Sequence, residues 1–330
     1  MLSRTTRKKK GLVYRMKPTK NPDSDREQRT DRKPADLPGV ARTRTVARLP
    51  VWFNKSMKFG ISTFVTDEGI APGPLARAIE DRGFDSLFVA EHTHIPLSRK
   101  SPWPRGGELP RKYYRTLDPF ITLTAAAAAT ERLLLGTGVA LIVERDPIIT
   151  AKEVASLDLV SGGRVIFGIG VGWNREEMEN HGTDPRTRGR LTDERLRAMI
   201  EIWTKDEPEF HGLYVDFDPI GAWPKPLRKP YAPIYVGGGS PAFKRIAEFG
   251  DAWLANGLPP DELGPMMGEL REVAGRDVPV TVFNASSEPE DLEAYAKLNV
   301  ERVLLGLPTL PEGETLDHLD ALARVAAATR

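Results

Sequence analysis

Two adjacent titratable residues, Glu91 and His92, follow the apolar segment 86–90. An unperturbed histidine titrates near pH ~6.5, so His92 could give or take a proton close to neutrality. We therefore name Glu91 and His92 as candidate catalytic residues. The alternative is structural: His92 locks its loop by a hydrogen bond, and Glu91 bonds to neighbouring backbone. His94 is the next candidate proton donor along the same segment.

Metal binding is a second possible chemistry for this segment. His92 and His94 are the one close pair among five histidines, but no third ligand is evident. Cysteine is absent, which excludes disulfides, thiolate nucleophiles and thiolate-bound metals. We expect no metal site.

A run of glycines marks another strand end. Gly168, Gly170 and Gly172 occupy alternate positions between the apolar segment 164–167 and Trp173. Missing side chains at the end of a strand let a flat or phosphorylated ligand approach the backbone. The spacing is not the dinucleotide fingerprint GxGxxG, because the third glycine comes one residue early and no helix start follows at the required distance. The alternatives are a turn without a ligand and a Trp173 that covers the core instead of lining a pocket.

A second glycine cluster, Gly237-Gly238-Gly239-Ser240-Pro241, precedes a helical pattern. Free backbone N–H groups and the positive end of a helix dipole make such a turn a ready anion site. We expect Gly238, Gly239 and Ser240 to hold a cofactor phosphate. An ordinary strand-to-helix turn is the alternative.

The elements that position these residues alternate regularly after Met57. Three predicted helix starts place a capping side chain before a proline, at Asp118-Pro119, Asp146-Pro147 and Ser240-Pro241. Eight apolar strands that alternate with eight helices predict a parallel sheet closed into a (β/α)8 TIM barrel. The predicted strands are 58–63, 86–91, 133–140, 165–171, 233–238, 252–256, 278–283 and 302–307, and the predicted helices are 74–82, 119–130, 147–160, 193–203, 241–249, 261–273, 289–298 and 316–328.

The predicted barrel has one insertion and one functional face. Residues 205–232, between the fourth helix and the fifth strand, are too many for a simple loop. We expect an excursion with short strands there, over the barrel mouth or at a subunit contact. Active sites of this fold lie at the C-terminal ends of the strands. Glu91, His92, Thr63 and both glycine clusters fall at such ends.

The composition divides the chain into two parts. Residues 1–56 hold 16 Lys and Arg against 5 Asp and Glu with almost no apolar periodicity, although the whole chain has a net charge of +1. We expect a basic, disordered extension before a barrel domain at 57–330, or a start of translation at Met57. A nucleic-acid-binding arm is the alternative, and we do not expect nucleic acid as a partner. Because no secretory signal and no run of ~20 apolar residues is present, we expect a cytoplasmic protein outside the membrane.

Five segments share their order and character with one enzyme family. They are KFGIS (58–62), FVAEH (88–92), LGTGV (135–139), LDLVSGGRVIFGIGVGW (157–173) and GGGSPAFKRIAEFGDAW (237–253). Together they resemble the luciferase-like flavin- and deazaflavin-dependent oxidoreductases, and most closely the branch that uses coenzyme F420. The resemblance spans nearly all of 57–330. Its SGGR and GxGxGW element is specific, and the other segments are weak alone.

The resemblance implies a TIM barrel that holds the flavin or deazaflavin ring at its C-terminal face. It also implies a bulge with a non-prolyl cis peptide behind the ring, at Gly138-Val139. The acid–histidine pair of the family corresponds to Glu91-His92, where related enzymes often have Asp-His. The residues expected to bind the cofactor are Thr63, Gly138, Val139, Gly168, Gly170, Gly172, Trp173, Gly238, Gly239 and Ser240.

The function that we expect is an F420-dependent oxidoreductase that transfers hydride between the deazaflavin and a small organic substrate, with His92 handling one proton. One alternative is an FMN-dependent monooxygenase, in which reduced flavin activates oxygen. Another is a cofactor-binding subunit without activity of its own. An aldolase or isomerase is disfavoured because no lysine falls at a predicted strand end. The protein could form a homodimer.

Overall fold

Eight parallel strands form a closed barrel, as the sequence predicts. The computed structural model describes residues 57–329, so the expected disordered extension at 1–56 lies outside the described residues. The strands are β1 (Lys58–Thr63), β2 (Ser86–Val89), β3 (Leu134–Thr137), β4 (Val165–Ile169), β5 (Phe210–His211), β6 (Asp216–Phe217), β7 (Ile234–Gly237), β8 (Ala252–Asn256), β9 (Val280–Ala285) and β10 (Arg302–Gly306). The helices are α1 (Pro72–Asp81), α2 (Pro119–Ala129), α3 (Pro147–Val160), α4 (Arg175–Asn180), α5 (Arg188–Thr204), α6 (Phe243–Phe249), α7 (Pro260–Ala274), α8 (Pro289–Lys297) and α9 (Glu312–Thr329).

The order of the strands around the barrel places the predicted site residues side by side. β1 is followed by β2, β3, β4, β7, β8, β9 and β10, and β10 pairs with β1 to close the ring. The ends of β2, β3, β4 and β7 are therefore consecutive on the rim. Those four ends carry both candidate catalytic residues and both glycine clusters.

Two apolar layers hold the barrel together. Between the strands and the helices lie fully buried side chains such as Ile61, Leu87 and Phe167. A smaller cluster inside the barrel contains Phe88 and Leu304. Each large apolar side chain contributes roughly 2 kcal/mol by leaving water. Because the strands are covered on both faces, their sequences read as continuous apolar runs and not as alternating ones.

An ion pair closes the barrel interior near the start of the strands. Arg302 at the first position of β10 is 1% exposed. Its Nε lies 2.9 Å from Oδ2 of Asp85, and its Nη1 donates to the Tyr235 hydroxyl at 3.3 Å. A buried guanidinium needs such partners, because an unpaired buried charge is costly.

Two of the three predicted helix caps are confirmed. Asp118 and Asp146 accept hydrogen bonds from the backbone N–H three residues on, at 3.0 Å and 2.9 Å, and a proline follows each. The prediction at Ser240 is wrong. Ser240 begins a 3-10 helix that ends at Ala242, its side chain caps nothing, and α6 starts only at Phe243.

The insertion contains a short antiparallel pair of strands, as expected. β5 and β6 pair with each other and lie along α5, where the Glu194 carboxylate accepts the backbone N–H of Val215 at 2.7 Å. Tyr214 packs against the buried cluster of Val143, Met178 and Leu191. The hairpin thus joins α5 to the loops that follow β3 and β4.

One helix was not anticipated from the sequence. α4 begins at Arg175, two residues after Trp173, with two glutamates in its first turn.

Within residues 57–329, none of the helices has the length and apolar character needed to cross a membrane.

Candidate active site

His92 is buried at the end of β2, with 9% of its surface exposed. Its Nδ1 lies 2.8 Å from Oε2 of Glu177, whose side chain is fully buried. The other Glu177 oxygen accepts the backbone N–H of Thr93 at 3.0 Å. A carboxylate acceptor selects the imidazole tautomer with its proton on Nδ1. Nε2 is then the acceptor, and it makes no hydrogen bond to any other described residue.

Aromatic rings surround His92. The ring centres of Tyr113 and Trp173 lie 5.2 Å and 5.8 Å from that of His92. Trp103 donates from Nε1 to the Tyr113 hydroxyl at 3.2 Å. Trp173 is only partly buried, and its ring lies 5.8 Å from the guanidinium carbon of Arg99. We call His92, Tyr113 and Trp173 the aromatic wall. It gives the site an apolar side where a planar group can pack.

Two neighbouring glutamates of α4 hold the loop that follows β2. Glu177 binds His92 and Thr93, as described above. The Glu176 carboxylate accepts the backbone N–H of Ser101 at 2.9 Å and also binds the Ser101 hydroxyl. Burial alone would raise the pKa of Glu176, but these hydrogen bonds lower it to about 2. The loop is therefore fastened to α4 by Glu177 before His94 and by Glu176 after it, and His94 itself lies 2.9 Å from the Asn180 amide at the end of α4.

Glu91 binds the protein itself. Its carboxylate accepts the backbone N–H of Leu141 at 2.6 Å and the Nε–H of Arg145 at 2.6 Å. Arg145 also pairs with Asp118 and Glu153. Burial raises the pKa of Glu91, and Arg145 opposes that shift. These contacts fasten the loop after β3 and resemble the structural alternative more than a proton-transfer role.

The bulge after β3 has the geometry that the resemblance implies. The peptide bond between Gly138 and Val139 is cis. The Gly168 carbonyl on β4 accepts hydrogen bonds from the Thr137 hydroxyl at 2.6 Å and from the Ala140 N–H at 2.8 Å. Val139 is half-buried and faces the rim between β4 and β7.

The alternate glycines of β4 make room for this bulge. A Cβ on Gly168 would lie 1.9 Å from the Thr137 carbonyl oxygen, and a Cβ on Gly170 would lie 2.5 Å from Val139. Gly172 has a φ of +70°, which the turn into α4 requires. The missing side chains thus admit the protein's own chain. Binding of the cofactor near these glycines remains a prediction, with Val139 as the surface between them and the ligand.

The second glycine cluster leaves backbone donors free. Gly238 is exposed with a φ of +119°. The N–H groups of Gly239 and Ser240 donate to no acceptor within the described part of the chain, and such groups can hold an anion. The Ser240 hydroxyl donates to the Glu269 carboxylate at 2.8 Å. The negative charge of that carboxylate would repel a phosphate bound at the same turn.

The Thr63 hydroxyl is hydrogen-bonded within the barrel. It donates to the Leu307 carbonyl at 2.9 Å, and the residue is 5% exposed. It can shape the floor of the mouth, but its hydroxyl is already in use.

A second polar network, which sequence reasoning missed, lies beside Glu177. The Thr93 hydroxyl joins Nδ1 of His94 at 2.9 Å to Nε2 of His181 at 2.7 Å. Oε2 of Glu144 lies 4.0 Å from Nε2 of His181 and has no hydrogen-bond partner among the described residues, although the Glu144 side chain is only 1% exposed. Burial and the nearby carboxylates of Glu177 and Glu91 raise the pKa of Glu144 to about 9. Glu144 is therefore a neutral acid at neutral pH.

Sequence analysis missed Glu177 and Glu144, and the sequence signals these two residues with different strength. Glu177 follows Trp173 by four residues, in the segment with the most specific motif, so a search for partners of His92 could have begun there. Glu144 directly follows the apolar residues 141–143, and a charge at such a position is a weak signal of a buried acid.

Within residues 57–329 the structure brings together no group of three metal-ligating side chains. His92 and His94 bind different partners.

A closed parallel barrel with a carboxylate-held histidine on its C-terminal rim has the architecture of a TIM barrel, in which active sites lie on that rim. The chain belongs to the luciferase-like monooxygenase family, whose sequence pattern matches residues 71–328.

Three relatives illustrate which cofactors members of this family use. An uncharacterized protein of Mycobacterium tuberculosis is 40% identical over 276 residues, which are 81% of this chain and 98% of the relative. An F420-dependent glucose-6-phosphate dehydrogenase of Nakamurella multipartita is 30% identical over 212 residues, 61% of this chain and 58% of that protein. An FMNH2-dependent dimethylsulfone monooxygenase of Pseudomonas putida is 30% identical over 187 residues, 54% of this chain and 51% of that protein. The family thus includes F420-dependent and FMN-dependent oxidoreductases.

Proposed function

We propose that this protein is an F420-dependent oxidoreductase that transfers hydride between the deazaflavin and a small organic substrate. The observation that carries the proposal is the orientation of His92. Glu177 holds Nδ1 at 2.8 Å, so Nε2 is the atom available to a ligand beside the aromatic wall. The motifs that resemble the F420-dependent branch and the relative from Nakamurella multipartita support the choice of cofactor.

The residues on the rim fit a flat cofactor with a phosphate. Val139 offers a partly exposed apolar surface for the ring, and Trp173 packs edge-on against both His92 and Tyr113. The free N–H groups of Gly239 and Ser240 are suited to bind the phosphate. The nearby Glu269 carboxylate would repel it. When bound, the deazaflavin supplies the hydride chemistry.

The protein's own side chains have three tasks in this proposal. His92 gives or takes a proton at Nε2, and the Glu177 carboxylate stabilises the imidazolium that forms. Glu91 and Arg145 hold the loop after β3 and so keep the bulge in place. Burial of His92, Glu177 and Glu91 excludes water and strengthens these electrostatic contacts.

An FMN-dependent monooxygenase is the second candidate, supported by the relative from Pseudomonas putida. A cofactor-binding subunit without its own activity is a third. The homodimer and the cytoplasmic location stay predictions.

Cofactor titration separates these candidates. The full chain is titrated with F420 and with FMN, and each dissociation constant is measured by fluorescence. We expect F420 to bind at least roughly tenfold more tightly, which corresponds to about 1.4 kcal/mol. Tighter binding of FMN, with oxygen consumption in the presence of reduced FMN, would favour the monooxygenase instead. Tight F420 binding without turnover on any alcohol or ketone of a broad panel would favour the non-catalytic subunit.

A further inference from the structure

The loop between β2 and α2 carries two cations across the barrel mouth. Arg105 reaches the ends of β8 and β9: its Nη2 lies 2.9 Å from the Asn284 side-chain oxygen when that amide presents its oxygen to the guanidinium. The same nitrogen would be 3.3 Å from a Cβ on Gly257. Lys112 lies by the end of β1, with Nζ 4.8 Å from the centre of the Phe64 ring.

Neither cation has an acidic partner in the described part of the chain. Arg111 and Arg115, in the same short 3-10 helix as Lys112, pair with Glu68 and Asp67. No ion pair of Arg105 or Lys112 exists among residues 57–329. The partners of Arg105 and Lys112 are an amide and an aromatic face, so their positive charges stay uncompensated.

The environment of Lys112 makes that lack of a partner costly. Lys112 is partly buried, and burial together with the charge of Arg105 lowers the pKa of its ammonium group. Two like charges held near each other at a partly desolvated site repel, and an anion between them would relieve the repulsion. Side chains arranged in this way are suited to an anionic ligand.

Tyr113 connects this pair of cations to His92. Its ring centre lies 4.6 Å from that of Phe64, over which Lys112 sits, and 5.2 Å from that of His92. A ligand whose anionic group meets Lys112 can therefore place its body along Tyr113, with its far end towards Nε2 of His92. That arrangement would orient a substrate relative to the proton-transfer group.

We propose that Arg105 and Lys112 bind the anionic group of the substrate, a carboxylate or a phosphate, while the aromatic wall packs against the substrate's body. This inference rests on the proposed function, since it names the class of molecule that the site takes. It assigns the specificity to the loop between β2 and α2.

Matched probes test the inference without a known substrate. Benzoate and phenyl phosphate are anions with a flat apolar body, and benzamide is the neutral counterpart of benzoate. Binding of each to the full chain is measured by tryptophan fluorescence and calorimetry, with and without saturating cofactor. The variants are Lys112→Met and Arg105→Met, and Lys112→Arg retains the charge. Lys100→Met, an exposed lysine of the same loop, is the control for loss of one positive charge.

We expect each of the two methionine variants to bind the preferred anion at least roughly tenfold more weakly, because a hydrogen bond to a charged group is lost. Benzamide binding should not change, Lys112→Arg should recover most of the affinity, and Lys100→Met should resemble the wild type. Preference for benzoate or for phenyl phosphate identifies the anionic group.

Three results would overturn the inference. The first is no binding of either anion at roughly 10 mM to a folded wild-type chain. The second is an equal loss of benzamide and benzoate binding, which would show that Lys112 only shapes the site. The third is a parallel loss of cofactor affinity in both variants, which would assign the cations to the cofactor. Failure of the wild type to bind F420 or FMN counts against the proposed function alone, because the anion titration without cofactor is independent of it.

Discussion

Replacing Glu144 by glutamine should stabilise the folded protein, and the gain should depend on pH. Glu144 has a pKa of about 9 in the folded chain, against an ordinary value of 4.5. Below pH 4.5 the side chain is protonated in both the folded and the unfolded protein and makes no difference to stability. Between pH 4.5 and 9 only the unfolded chain releases the proton, so the free energy of unfolding falls as the pH rises. Above pH 9 both states are ionised and the loss stops growing.

The size of the effect follows from the width of this interval. The free energy of unfolding falls by about 1.4 kcal/mol for each pH unit above 4.5, so the carboxyl removes up to about 3.5 kcal/mol of stability at pH 7. Glutamine has nearly the same shape and does not ionise. Glu144→Gln should therefore be up to about 3.5 kcal/mol more stable than the wild type at pH 7, with a melting temperature higher by up to roughly 7 to 14 °C. The gain should vanish near pH 4.5.

Urea unfolding from pH 4.5 to 8, followed by circular dichroism, measures the difference between the two proteins. Glu272→Gln, at an exposed position on α7, is the matched control and should show no pH-dependent gain. A constant difference across this range would refute the reasoning. So would a destabilised Glu144→Gln, since it would mean that Glu144 is ionised in the folded protein and pairs with His181.

Four further predictions concern the site and the extension. His92→Ala should lower kcat roughly 10² to 10⁴-fold while the cofactor dissociation constant changes much less, and a parallel loss of both would make His92 a pocket-shaping residue. Gly168→Ala should lower the free energy of unfolding by several kcal/mol in urea titrations, because its Cβ would lie 1.9 Å from the Thr137 carbonyl oxygen; wild-type stability would contradict the packing described for the bulge. Gly239→Asp should weaken cofactor binding at least roughly tenfold without unfolding the barrel, and unchanged affinity would make the turn structural. A chain that starts at Met57 should keep the melting temperature and cofactor affinity of the full chain, and a loss of several degrees would count against this.

The barrel was predictable because its signals are local. The apolar runs of β1 and β8 lie at the predicted residues, and Asp118 and Asp146 mark the starts of the helices that follow them. α4 was missed because a six-residue helix carries too little periodicity to be recognised. The helix cap predicted at Ser240 was wrong, because a capping residue followed by proline is also compatible with a 3-10 turn.

The site was predictable only in part, since its residues meet from distant positions in the chain. His92 and the glycines stand at strand ends, which the barrel identifies as the functional rim. The partner that orients His92 lies 85 positions later in the chain, and nothing in the local sequence joins the two. The role of the β4 glycines was also hidden, because a gap left for a ligand and a gap left for a neighbouring strand have the same sequence pattern.

The attachment of the β2–α2 loop to α4 divides that loop into a part that α4 holds and a part that it does not. Glu177 fixes the residues at His92, Glu176 fixes Ser101 and Trp103 binds Tyr113, whereas the stretch from Pro104 to Leu109 makes no hydrogen bond to α4 among the described residues. Insertions or substitutions in that stretch can change which molecules enter the mouth without moving the imidazole. In an evolving family, the same proton-handling group could then serve different substrates, with diversity confined to one replaceable segment. Libraries for altered selectivity should accordingly vary 104–109 and leave Trp103 and both glutamates intact.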